Sequence, residues 1–124
     1  PEQSLRKALA DWMVAKENPF FARAMVNRMW GHYFGRGLVH PVDDMHDDNP
    51  CTHPELLHLL TEQFKAHEFD LKYLSRAMCL SETYQRTSKP LAGNAKDDKL
   101  FSRMLIKVLT PEQLFDSLVV ATGN

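Results

Sequence analysis

A chain of 124 residues, 44% hydrophobic and 25% charged, is long enough to bury one core without staples, which excludes wholesale disorder. Its 15 Lys and Arg against 16 Asp and Glu leave a formal net charge of -1, so no overall field draws it to nucleic acid or anionic lipid. No apolar run approaches the roughly 18 residues of a membrane span, and no signal-peptide pattern opens the chain. Because Pro1 stands first rather than Met, the chain reads as a fragment or a processed product. Cys51 and Cys79 are too few for a disulfide framework and lack CxxC spacing.

The periodicity is helical almost throughout. "SLRKALADWMVAK", Ser4 to Lys16, sets Leu5, Leu9, Trp12 and Met13 on one face, with Ser4 at the N-cap and an incomplete capping box. "ENPFF" resets the chain: Asn18 caps, and Pro19 occupies the first turn of a second helix reaching Phe34. That second helix is apolar around nearly its whole circumference, which predicts a central helix covered by neighbours. On its wheel Arg28 falls between Phe21 and Ala24, and Asn27 beside Phe20 and Phe34, so both are expected to be at least partly buried. "GRG", Gly35 to Gly37, ends it.

An irregular loop over about 38–52 follows. "THPE" then reads as a capping box between Thr52 and Glu55, opening a third helix to about His67 with Leu56, Leu57, Leu60 and Phe64 inward. Asp70 caps a fourth helix, about Leu71 to Gln85, with Leu71, Leu74, Met78 and Ser81 inward. "TSKPLAGNAK" is a second loop, and a fifth helix is predicted from about Asp97 to Val108. "TPEQ" restarts the chain with Thr110 as cap, and a last helix bearing Leu114, Leu118 and Ala121 stops at Gly123. No strand candidate finds a partner. The expected fold is all-α, one compact bundle of five to six helices around the central helix at about 19–34.

Chemistry-bearing residues concentrate in "HPVDDMHDDNPCTHPE", His40 to Glu55. Its paired aspartates lack the alternation and central Gly of an EF-hand loop. His53 and His58 are five apart and fall on different helix faces, unlike an HExxH pair. Aspartates that cap turns and solvate a loop account for most of the segment. A buried Arg28 would require an acceptor, since an unpaired buried guanidinium costs several kcal/mol; Asp43 or Asp44, shortly after the helix, is the expected partner. A competing reading has Arg28, Asp43, Asp44 and His53 line a metal or anion site, hydrolytic in its strongest form, with Arg28 on an anionic group and the aspartates on a cation.

Ser81 lacks a GxSxG elbow and a His partner, and Cys79 on an apolar-flanked helix reads as an inert thiol. His32, His58 and His67 read as surface or boundary residues. Lys72, Arg76 and Arg86 are diluted by Asp70 and Glu82, so no nucleic-acid partner is expected. No CxxCH occurs, and neither a cofactor nor a catalytic residue is called for.

The order "NPFFARAMVNRMWGHYFGRGLVHPVDD", "HPELLHLL", "DLKYLSRAMCLSETYQRTSKP" and "LTPEQLFDSLVVATG" resembles the planctomycete-type domain of unknown function 1553, from about Leu5 to Gly123. Asn18, Pro19, Arg23, Asn27, Arg28, Trp30, Gly35, Arg36, Gly37, Asp43 and Asp44 fit its hallmark motif. His53, Pro54, Glu55, Arg76, Ser81, Tyr84 and Gln85 fit its later blocks. The resemblance implies a C-terminal module of a large exported protein, hence an extracytoplasmic setting with neighbouring domains as partners, and it carries over no catalytic residue. Cys51 and His46 depart from the pattern, which weakens a metal site built on them. The candidate polar cluster, for binding or for structure, is therefore Asn27, Arg28, Arg36, Asp43, Asp44, His53 and Arg76.

Overall fold

The computed structural model describes residues 4–123, and among these it contains five helices and no strand. The all-α expectation holds. The first helix, α1 (Leu5–Val14), begins at Ser4, whose side chain makes no capping bond, and buries none of its residues. Leu5, Leu9, Trp12 and Met13, which the spacing puts on one face, are all exposed.

Asn18 then turns the chain. Its Oδ1 accepts from the N–H groups of Phe20 (2.8 Å) and Phe21 (3.0 Å), while its Nδ2 donates to the Trp12 carbonyl at 3.1 Å. One buried amide thus closes α1 and opens α2 (Phe21–Phe34), which starts two residues after Pro19. Helix α2 ends at Gly35, φ +81°, where only glycine adopts the left-handed conformation cheaply.

The core lies where α2 meets α3 (Pro54–Ala66) and α4 (Leu71–Cys79). Ala22, Val26, Trp30 and Phe34 of α2 pack with Leu57 and Phe64 of α3 and with Leu74 and Met78 of α4. Burial of each large side chain such as Phe34, Phe64 or Leu57 contributes about 1.5–3 kcal/mol. Trp30 stacks on Phe34 at 4.0 Å, and Phe101 meets Trp30 edge-on at 5.4 Å, closing the core from the C-terminal side.

The start of α3 and the end of α4 differ from expectation. The Thr52–Glu55 capping box does not form: His53 holds the N-cap position without a side-chain bond, and Thr52 Oγ1 donates to the Leu38 carbonyl at 3.0 Å instead. Helix α4, capped by Asp70 on Lys72 and Tyr73 N–H as expected, stops at Cys79 rather than Gln85. There Ser81 Oγ donates to the Met78 carbonyl (2.7 Å), and Gln85 Nε2 to that of Cys79 (2.9 Å), so side chains take over the last carbonyls.

The predicted helix over 97–108 is absent. Asp97 captures the N–H groups that a helix would need: Oδ1 accepts from Lys99 (3.0 Å) and Leu100 (2.8 Å), and Oδ2 from Ser102 N–H (3.0 Å) and its hydroxyl. The chain is held against the core by Arg86 Nη1, which donates to the Phe101 carbonyl at 2.6 Å. Farther along, Lys107 Nζ reaches the carbonyls of Tyr33 (2.7 Å) and His32 (3.3 Å), a cation at the negative end of α2. Helix α5 (Pro111–Thr122) carries the full Thr110–Gln113 capping box and the Gly123 left-handed stop, as its sequence predicts. Its apolar face is nevertheless uncovered, since α5 buries no residue.

Candidate functional site

The loop between α2 and α3 is fastened to α2 by Asn27. This amide has no exposed surface; its Nδ2 donates to the carbonyls of Val39 and Val42, both at 2.9 Å, and its Oδ1 accepts from Val39 N–H at 2.9 Å. Gly37 makes that approach possible. A Cβ there would stand 2.3 Å from the Val39 carbonyl oxygen and 3.0 Å from Asn27 Nδ2, closer than atoms tolerate. Gly31 allows the same loop to lie on α2, since its Cβ would meet Val42 at 3.0 Å. The His40–Pro41 bond is cis, and Thr52 N–H donates to the Leu38 carbonyl at 2.8 Å, returning the loop to its own start.

Arg28 does meet Asp43, Nη2 to Oδ1 at 2.6 Å. The premise of burial is corrected: the two side chains are 57% and 60% exposed, because the face of α2 that carries Arg28 is open. Asp44 turns elsewhere, with His46 Nε2 at 3.3 Å from its carboxylate and Asn49 Nδ2 donating to its carbonyl at 2.7 Å. His53 leans on the core, its ring 5.7 Å from Phe101 and its Nδ1 3.1 Å from Thr52 Oγ1. Arg36 stands half-buried with Asp98 3.9 Å away. Arg76 is exposed on α4 and joins none of these contacts.

The seven candidate residues therefore form no single centre. Asn27 is a structural clamp, Arg28 with Asp43 a surface tie, and Arg36 belongs to a separate pocket. Among the described residues no group of three or more His, Cys, Asp or Glu is disposed to hold a metal ion. Both cysteines are free thiols.

Two features escaped the sequence. Gly37 read as a helix stop, whereas its lack of a Cβ admits the Val39 carbonyl; the spacing of Gly35 and Gly37 was the available signal. The other is Asp97, whose carboxyl is held well below the usual carboxylate range, chiefly by the Ser102 hydroxyl and then by the Leu100 and Ser102 N–H groups.

A concave apolar surface lies on the open side of α2. Trp12 and Met13 of α1 face Phe20, Phe21, Ala24 and Met25 across a groove of about 260 Å³. Phe20 is 63% exposed beside it. The groove holds no acid–base pair, and Arg28 at its edge is engaged by Asp43.

No curated protein and no solved structure matches the chain. The family described as PSD1, protein of unknown function (DUF1553), matches over residues 5–124, which covers the clamp, the loop, the groove and all five helices alike. The chain belongs to the DUF1553 family.

Proposed function

We propose that the chain is a non-catalytic packing and interaction module of a larger exported protein, and that it docks neighbouring domains through α5 and the α1–α2 groove. The observation that carries this reading is the uncovered apolar surface of α1 and α5. On α5, Leu114, Phe115, Leu118 and Val120 are exposed; on α1, Leu5, Leu9, Trp12, Met13 and Val14 are. Exposed apolar surface on this scale marks an interaction site. A helix of 12 residues is marginal in water without tertiary contacts, so α5 needs a partner to be firmly held. The hydrogen-bonded groups of the loop, by contrast, are committed to structure: Asn27 to the backbone and Asp43 to Arg28.

Hydrogen exchange tests the reading. The amides of α5 exchange fast in the 124-residue chain and become protected by about 100-fold or more in the full-length parent protein. Equal exchange in both would overturn the proposal.

A further inference from the structure

A second surface, unrelated to the apolar faces, has the makings of a ligand site. Beneath the loop lies a cavity of about 300 Å³ lined by Arg36, His40, Asn49, Cys51, Thr52 and Lys99, among others. Both of its formal charges are positive, and no carboxylate lines it.

The two cations are placed by independent devices. Arg36 sits between Gly35, fixed in the left-handed conformation, and Gly37, whose backbone is pressed against the Val39 carbonyl. Lys99 is presented by the turn that Asp97 staples through the N–H groups of Lys99, Leu100 and Ser102.

The donors of Arg36 are largely uncommitted. Its Nε–H is buried and has no acceptor among the described residues. Its only ionic neighbour there is Asp98, at the long distance of 3.9 Å and with a side chain 63% exposed. Burying a guanidinium N–H without an acceptor is unfavourable, and with Nε closed off, the two Nη groups, which make no hydrogen bond among the described residues, are the donors left for an incoming acceptor. Two of the other polar groups at the wall are already bonded, Asn49 Nδ2 to the Asp44 carbonyl and Thr52 Oγ1 to that of Leu38. What remains in the concave pocket is the paired Nη groups of Arg36, the Lys99 ammonium and the His40 imidazole.

We infer that this pocket binds an oxyanion, a carboxylate or a phosphate group, held by Arg36 and Lys99. A guanidinium matches the oxygen spacing of both groups with two parallel hydrogen bonds, and an ammonium adds a point charge. The pocket is at the small end of ligand sites, which fits the anionic end of a molecule rather than a whole cofactor.

The test follows the Arg36 Nε–H resonance by NMR while the chain is titrated at constant ionic strength with inorganic phosphate and, separately, with acetate. The expected result is a saturable shift of Arg36 Nε–H with a Kd of about 1 mM or below for at least one probe. Which probe saturates identifies the chemical source, phosphate or carboxylate. Lys99→Gln, at an exposed position that leaves the fold intact, weakens that binding about tenfold. Absence of a saturable shift with both probes in the folded chain overturns the proposal. So does unchanged affinity in Lys99→Gln.

Discussion

At the scale of single residues, two neighbours on α2 do unequal work in holding one loop. Asn27 is fully buried and satisfies three backbone groups of the loop; Arg28 is exposed and makes one ion pair. Removing the buried amide leaves Val39 N–H and two carbonyls without partners, each a penalty comparable to a lost hydrogen bond. Asn27→Ala is expected to cost about 3 kcal/mol, and Arg28→Ala less than about 1 kcal/mol, measured as shifts in the denaturation midpoint. Equal losses would invert that ranking. Part of this was legible in advance. The wheel position of Asn27 beside Phe20 and Phe34 announces a buried amide, and charge and proximity along the chain narrow the partner of Arg28 to Asp43 or Asp44. The partners of Asn27 were not legible, because backbone carbonyls leave no mark in a sequence. The exposure of Arg28 was not either, since periodicity says which face is apolar and not whether anything covers it.

At the scale of elements, local chemistry decided which readings survived. The Thr110–Gln113 box, the Asp70 cap and the glycine stops act within one turn, and each lies where its residues predict. Thr52 has the same local credentials, but its hydroxyl is drawn to Leu38, fourteen residues away, by the closure of the loop. Over 97–108 the apolar spacing suits a helix, while Asp97 offers the backbone a competing set of bonds and wins. This turn has a pH signature. The folded-state carboxyl of Asp97 titrates below its unfolded value, so its stabilisation is complete above the unfolded pKa, near 4. It is lost as pH falls from about 4 toward the lower folded value. Acid titration of stability should therefore show a loss below about pH 4 that Asp97→Asn reduces, with the variant less stable than the parent at pH 7. An acid limb unaltered by Asp97→Asn would show that other carboxylates govern it.

At the scale of the whole molecule, the packed part is smaller than the helical part. Helices α2, α3 and α4 enclose the core, closed by Phe101, while α1 and α5 keep their apolar residues in the open. A free-standing domain would turn those stripes inward; here they stay uncovered, which is the basis of the interaction role proposed above. The most direct measurement compares one substitution in two contexts. Leu118→Glu, at a residue 55% exposed on α5, should change the stability of the 124-residue chain by no more than about 0.5 kcal/mol. In the larger protein that the proposed function calls for, the same substitution should cost about 2–5 kcal/mol, as loss of a buried leucine does. A neutral effect in both contexts would contradict the account, because α5 would then have no apolar partner.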